Sequence, residues 1–261
     1  MRAYWRDDFG TRARREQREM CGSVLNKVGE LRRDPVMRNI FGQEHNKLDI
    51  QAIIAERGIL IVNLAKSEVG RENARLIGAF IVSQLTLHAA ARMQALARRV
   101  GEDPEAAAWE YPDFYVYADE FQDLATARFD DALSQSRNGR VSFALFNQYQ
   151  AQLSEAVKAA LFGNVGSLVT FEVGANDAAE LARQFDDHFT PPQLTGLRQY
   201  EIALRLPKRP GNPPYPFKAY TLAVEGAGYG AGRRDNIINQ SRMMFGRPRE
   251  RVERSVARVL S

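Results

Sequence analysis

Short β-branched runs alternate with longer stretches of helical spacing along most of the chain. Apolar or alternating runs at 58–64, 113–120, 141–148 and 166–173 predict four strands. The first, GILIVNL, has the continuous apolar pattern of a strand covered on both faces. Since each run precedes a segment with apolar residues at helical spacing, the order predicts an α/β sheet with parallel strands and right-handed crossovers.

The longest helical pattern extends from about 71 to 99 and ends near Gly101 and Pro104. Its apolar stretch, Leu76 to Met93, is interrupted by polar residues, which favours a buried helix over a membrane span. The sequence therefore predicts no membrane segment in this chain. Further helices are predicted at 12–33, from 120 to about 137, and at 150–162, 176–186 and 234–260.

The pattern changes after Pro191 and Pro192, where 201–206 and 218–224 flank a Pro-rich turn and predict a hairpin at the sheet edge. A glycine-rich linker then leads to a basic helical segment. The predicted organisation is an N-terminal helical segment (1–57), a core (58–190), an edge hairpin (191–225), and a linker with a basic C-terminal helix (226–261).

Composition excludes several classes of protein. The 261 residues are 44% hydrophobic and 26% charged, which is ordinary for a globular protein and excludes disordered, collagen-like and coiled-coil chains. Cys21 is the single cysteine, so no internal disulfide can form, and a reducing compartment is indicated. The three histidines are scattered at 45, 88 and 188, which makes a transition-metal site improbable.

The net charge of +4 conceals a segregation of charge. Residues 101–187 carry five basic and sixteen acidic side chains, whereas residues 1–38 carry ten and six, and residues 233–261 carry eight and three. The basic ends could contact nucleic-acid phosphates, and a general bias towards Arg explains them equally well. The arginines of the C-terminal segment considered for DNA are Arg233, Arg234, Arg242, Arg247, Arg249, Arg251 and Arg254.

Two carboxylates follow the strand predicted at 113–118. Asp119 could hold a magnesium ion through a water, and Glu120 could polarise an attacking water, as in the Walker B motif of P-loop NTPases. The alternative is an acidic N-cap for the next helix.

Polar residues also lie at the ends of neighbouring elements. Gln148 ends the next strand, where an amide can contact both a γ-phosphate and the attacking water; alternatively, it caps the helix near 150. Arg137 could reach the nucleotide of a neighbouring subunit as an arginine finger, although a cation at a helix C-terminus is commonplace.

The phosphate-binding loop G-x-x-x-x-G-K-[ST] occurs nowhere in the chain. The glycine-rich segment GAGYGAG (226–232) contains no lysine and follows no buried strand, so it is interpreted as a linker.

Several stretches together resemble conjugative ATPases, above all the TraD/TraG-like coupling proteins of type IV secretion, which are related to the HerA and FtsK motors. The resemblance extends almost from end to end. The stretches are RNIFGQ (38–43), ILIVNLAKSEVGRENARLIGAFIVSQL (59–85), FYVYADEFQDLAT (114–126), FNQYQAQL (146–153), FGNVGSLVTFEVGANDAAELARQF (162–185) and SRMMFGRPRERVE (241–253).

The resemblance implies a RecA-like P-loop NTPase core that forms a hexameric ring and uses ATP and Mg²⁺ to move DNA towards a secretion channel. By position, Asp119 and Glu120 correspond to the Walker B pair, with Asp119 holding the metal. Gln148 corresponds to the sensing glutamine, and Arg137 to the arginine finger.

In this family the Walker A loop precedes every stretch found here. We therefore expect the chain to correspond to the C-terminal half of such an ATPase, with a core incomplete at its N-terminal side, a C-terminal helical tail, and negligible activity alone. The alternative is a non-catalytic module that docks onto a secretion ATPase or a relaxosome partner, as the recognition segments of the family do. A cytoplasmic location is expected, and partners or a missing N-terminal region could hold the protein at the inner face of the membrane.

Overall fold

The computed structural model describes residues 9–11, 13–17, 21–22, 29, 33–103, 110–124, 133, 137–213, 215–223 and 232–260. The helices are α1 (Pro35–Phe41), α2 (Ile50–Ala55), α3 (Lys66–Val69), α4 (Arg71–Glu102), α5 (Glu155–Asn164), α6 (Ala175–Gln184), α7 (Pro191–Thr195), α8 (Arg233–Phe245) and α9 (Arg249–Leu260). The strands are β1 (Phe114–Ala118), β2 (Val141–Leu145), β3 (Leu168–Thr170), β4 (Glu201–Arg205) and β5 (Phe217–Tyr220). The chain forms two compact units, one of residues 1–49 and 229–261 and the other of residues 50–228.

β1 and β2 pair in parallel, in register from Phe114 opposite Val141 to Ala118 opposite Leu145. Residues on the inner face of this pair join α4 in a hydrophobic core that includes Val82, Ala118 and Phe121. The sequence patterns at 113–120 and 141–148 thus correctly predict two neighbouring parallel strands.

Helix α4 extends over the predicted segment and packs against the start of both strands. The Arg92 guanidinium donates hydrogen bonds to the carbonyl oxygens of Gly139 (3.0 Å) and Pro112 (2.6 Å). Gly139 lies so close to the helix that a Cβ there would be 2.3 Å from the carbonyl oxygen of Ala89. By length and composition alone α4 could cross a membrane, a test that core helices of soluble proteins also pass.

The remaining strands form an antiparallel sheet in the order β3-β4-β5. β4 and β5 are the predicted hairpin. The strand predicted at 166–173 forms as β3. The prediction that it pairs in parallel was wrong, because β3 pairs antiparallel with β4. The reason is that β3 belongs to a separate core, built from α6, α7 and β4 around Phe185, Leu194 and Ala203.

The first predicted strand does not form. Residues 58–64 are all described, and none of them is in a strand. Ile59 and Ile61 are 91% and 78% exposed. A β-branched sequence becomes a strand only when another strand pairs with its backbone N–H and C=O groups. No described strand lies beside these residues, so no strand pairs with their backbone N–H and C=O groups.

The basic C-terminal segment forms two helices instead of one, with residues 246–248 between them. Pro248 cannot continue the hydrogen bonding of α8, and Gly246 ends that helix by donating its N–H to the carbonyl oxygen of Arg242. Most of the helix predicted at 12–33, and the helix predicted to end near 137, lie outside the described residues. The fold is therefore α/β, and its described part contains a small parallel sheet and an antiparallel sheet.

Candidate functional site

The turn after β1 is held beside the end of β2 by two backbone hydrogen bonds. Phe146 N–H donates to the carbonyl oxygen of Ala118, and Phe121 N–H donates to the carbonyl oxygen of Phe146, both at 3.0 Å. The side chain of Phe121 is fully buried beneath the turn. These hydrogen bonds continue the contact between the two chain segments beyond the ends of β1 and β2. They place Glu120 next to Gln148.

Glu120 has left-handed backbone angles, with φ 51° and ψ 43°. This conformation costs a residue with a Cβ about 1–2 kcal/mol, and five other described non-glycine residues also have a positive φ. The Asp119 carboxylate helps to stabilise it by accepting a hydrogen bond from Glu120 N–H at 2.9 Å. The Asp119 hydrogen bond therefore offsets part of the cost of the left-handed turn.

Both carboxylate oxygens of Glu120 accept hydrogen bonds from amide groups. Gln148 Nε2 donates to Oε1 at 2.5 Å, and Gln122 Nε2 donates to Oε2 at 2.8 Å. The ammonium group of Lys66 lies 3.6 Å from Oε2. The carboxylate is therefore oriented by two amide donors, with an ammonium group nearby as an ion-pair partner.

A network of ion pairs supports this group. Lys66 Nζ lies 2.5 Å from Asp123 Oδ2, and Arg75 Nε donates to the other oxygen of Asp123 at 3.2 Å. The hydrogen bond from Lys66 lowers the pKa of Asp123, and burial opposes this effect. The same bond raises the pKa of Lys66, so both groups stay charged at neutral pH.

These residues line an open cleft with a volume of about 390 Å³ at the carboxyl edge of the parallel pair. The Oε1 atoms of Gln122 and Gln152 are buried there and accept no hydrogen bond from the described residues. Buried polar oxygens nearly always accept a hydrogen bond. These two oxygens could therefore accept hydrogen bonds from a bound group or a water. The lining residues are Lys66, Arg71, Arg75, Glu120, Gln122, Asp123, Gln148, Tyr149 and Gln152.

The structure brings together only some of the predicted site residues. Glu120 and Gln148 are in contact and line the cleft, whereas Asp119 is exposed beside it. Arg137 begins a 3-10 helix before β2, at the opposite end of that strand from Gln148. Five residues of strand separate the two ends by about 16 Å, so Arg137 is not part of this cleft.

The alternative roles in helix capping are not seen. Glu120 precedes the 3-10 helix Phe121–Asp123 but makes no side-chain capping bond. Helix α5 is capped by Ser154, whose hydroxyl accepts from Val157 N–H, and not by Gln148. Both side chains instead bond to each other across the strand ends.

The sequence patterns predict no site role for Lys66, Arg75, Asp123 or Gln122. Lys66 and Asp123 are far apart in the chain, and no local spacing links them. The one available signal was that Asp123 and Gln122 follow the Asp119-Glu120 pair within one turn. Lys66 and Arg75 are found only because α3 and the start of α4 lie beside the turn that follows β1.

Asp119 and Glu120 are the residues that could hold a magnesium ion at this edge. Such an ion is held through one or two protein carboxylates, and waters and phosphate oxygens complete its shell. The second oxygen of Asp119 makes no hydrogen bond with the described residues, and Glu120 is adjacent. Among those residues no group of three or more His, Cys, Asp and Glu side chains could hold a metal by itself.

Comparisons of the chain with protein-family models, with curated proteins and with solved structures found no match.

Proposed function

We propose that the chain is the Walker B-containing part of an ATP-driven DNA translocase, of the kind that couples DNA processing to type IV secretion in conjugation. The observation that carries the proposal is the contact between Glu120 and Gln148 at the carboxyl edge of two parallel strands. In open α/β sheets ligands bind at that edge. The RecA-like identity of the core is part of this proposal, supported by the parallel pair and the α4 helix packed against it.

In this role Glu120 orients and polarises the water that attacks the γ-phosphate. A carboxylate fixed by amide donors and an ammonium group keeps one geometry, which a general base requires. Gln148, hydrogen-bonded to Glu120, would report the presence of the γ-phosphate to β2. Mg²⁺, held through Asp119, would neutralise phosphate charge when it is bound with ATP.

The chain lacks the loop that normally provides most of the nucleotide's phosphate contacts. The chain alone should therefore bind ATP weakly and hydrolyse it negligibly. Arg137 lies away from the cleft of its own chain, which supports a role towards a neighbouring subunit in a ring. The proposed partners are DNA, further copies of the chain, and secretion-channel or relaxosome proteins, at a cytoplasmic site on the inner face of the membrane.

DNA binding is proposed for the basic C-terminal helices. Arg234, Arg242 and Arg254 are exposed on α8 and α9. Non-specific phosphate contacts of this kind should weaken steeply as salt concentration rises. Double-stranded DNA binding that is absent, or that is unchanged by salt, would argue against this part of the proposal.

The test of the catalytic proposal joins the chain to a segment that carries G-x-x-x-x-G-K-[ST] and measures ATP turnover. We expect turnover in the joined protein, none in the chain alone, and a loss of about 100-fold or more in Glu120→Gln. Glu56→Gln is the matched control, because Glu56 is exposed and forms no ion pair with the residues that the structure describes. Turnover by the chain alone, or a joined enzyme indifferent to Glu120→Gln, would refute the proposal.

A second candidate function is a non-catalytic module that docks onto a secretion ATPase or relaxosome component. The observation that favours it is the exposed aromatic face of β1, where Tyr115 and Tyr117 are 60% and 73% exposed. Tyrosine is enriched at protein interfaces. Binding to a purified coupling ATPase that is lost in Tyr117→Asp, with ATP turnover unaffected by Glu120→Gln, would favour docking over catalysis.

A further inference from the structure

The cations that line the cleft around Glu120 differ in their ion pairs. Asp123 is contacted by two cations, Lys66 and Arg75, while Lys66 also faces Glu120. Arg71 lines the same cleft and forms no ion pair with any residue that the structure describes. Arg75 also pairs with Glu72 at 3.3 Å, so of the three cations of the cleft only Arg71 is left without a carboxylate partner among the described residues.

The position of Arg71 adds to the positive potential. It is the first residue of α4, a helix of 32 residues, and the preceding Gly70 has no side chain to cap it. The first N–H groups of a helix have no carbonyl partner within the helix, and they carry the positive end of its dipole. An anion between Arg71 and Lys66 would therefore meet two side-chain cations near this helix end.

The cleft also has features that suit a hydrated, charged ligand. Its volume of about 390 Å³ exceeds that of a single ion, and its lining is rich in polar side chains. The buried Oε1 atom of Gln122 lacks a donor, and its orientation is fixed because Nε2 of the same amide donates to Glu120. The waters of a magnesium ion bound to a polyphosphate would offer donors to this oxygen and to Oε1 of Gln152.

We propose that Lys66 and Arg71 form a binding site for a polyphosphate group, such as the triphosphate of a nucleotide, in the cleft beside Glu120. Lys66 is shared between Asp123, Glu120 and the ligand, and Arg71 contributes a guanidinium that can bind two phosphate oxygens at once. The identification of the ligand as a nucleotide rests on the proposed function. The anion site itself rests on the charges and the cleft.

The test is calorimetric titration of the full chain with inorganic triphosphate and equimolar Mg²⁺. We expect saturable binding that weakens about tenfold in Arg71→Ala, because a charge-assisted hydrogen bond to phosphate is lost. Arg71→Lys keeps the charge and should recover part of the affinity. Arg98→Ala is the matched control, since Arg98 is also exposed on α4 and lies about 40 Å along the helix from Arg71.

A second variant tests Lys66. Lys66→Gln removes its charge and should also weaken triphosphate binding, whereas Lys66→Arg should retain it, with circular dichroism confirming that both variants fold. Absence of binding to the wild-type chain, or equal losses in Arg71→Ala and Arg98→Ala, would overturn the proposal. The latter result would mean that only overall charge matters.

The outcome separates this site from the catalytic proposal. Triphosphate binding that depends on Arg71, together with a joined enzyme indifferent to Glu120→Gln, would support the anion site and refute the ATPase function. A joined enzyme that requires Glu120, together with triphosphate binding indifferent to Arg71→Ala, would support the function and overturn the site.

Discussion

The two sheets of the 50–228 unit differ in how their faces are covered. The antiparallel sheet belongs to a closed core, in which Phe185, Leu194 and Ala203 are fully buried. The parallel pair is covered on its inner face by α4, while Tyr115 and Tyr117 on its outer face remain exposed. Parallel strands are usually covered on both faces. The sheet that carries the candidate site is therefore the more solvent-exposed of the two. Its outer face is accessible to a binding partner.

The largest expected effect tests the closed core. Phe185→Ala should lower the free energy of unfolding by about 3–5 kcal/mol, because it removes a fully buried ring and leaves a cavity. Phe185 also makes an edge contact with Phe189, with ring centroids 5.4 Å apart. Urea denaturation followed by circular dichroism measures the loss.

Tyr117→Ala is the comparison variant, since it truncates an aromatic ring that is 73% exposed. Its unfolding free energy should stay within about 0.5 kcal/mol of the wild type. If Tyr117→Ala were as destabilising as Phe185→Ala, the outer face of the parallel pair would be covered in solution, and the contrast between the sheets would fail.

A smaller effect tests the attachment of α4 to the parallel pair. Gly139→Ala would place a Cβ 2.3 Å from the carbonyl oxygen of Ala89, and backbone atoms must move to admit it. We expect a destabilisation of about 1–3 kcal/mol, as for other overpacked sites. Thermal unfolding of the variant provides the measurement.

Gly163→Ala is its matched control on α5. A Cβ at this position would meet no atom within 4 Å. Alanine in a helix should stabilise the protein by about 0.5 kcal/mol relative to glycine. A shift of the same sign in both variants would mean that the close approach at Gly139 does not hold the helix against β2.

The smallest effect concerns pH and the ion pairs at the site. The pKa of Asp123 lies below its ordinary value mainly because of the hydrogen bond from Lys66, so the folded state releases this proton more readily than the unfolded state. The contribution of Asp123 to stability should be complete above about pH 5 and disappear as the pH falls through its folded pKa. The pKa of Lys66 is raised, so its contribution to stability depends on pH in the opposite direction. That contribution is complete at neutral pH and is lost only as the pH rises through the folded pKa of Lys66.

Asp123→Asn should therefore be less stable than the wild type by up to about 1 kcal/mol at pH 7, the range for screened ion pairs. The difference should shrink below about pH 4, where the wild-type carboxylate takes up a proton. Denaturation at several pH values measures it, with Glu56→Gln as the control. A difference that is constant from pH 3 to pH 7 would show that the Asp123 charge contributes nothing to stability.

Part of the candidate site could be predicted from the sequence. Asp119, Glu120 and Gln148 were identified because polar residues directly after two apolar strands must lie at one edge of a parallel pair. Lys66, Arg71 and Arg75 could not be identified in this way. Arg71 and Arg75 belong to the predicted helix and Lys66 lies just before it, and they reach the cleft only because α3 and the start of α4 lie beside the turn that follows β1.

The sequence by itself determined the positions of β1, β2, α4 and the β4–β5 hairpin, because periodicity records which side chains are buried along an element. The tertiary structure alone decided which strands pair. β3 joined an antiparallel sheet, and residues 58–64 paired with no described strand, since strand pairing depends on backbone groups supplied from distant parts of the chain. The charge pattern around Glu120 was decided in the same way, because ion pairs form between side chains that only packing brings within 4 Å.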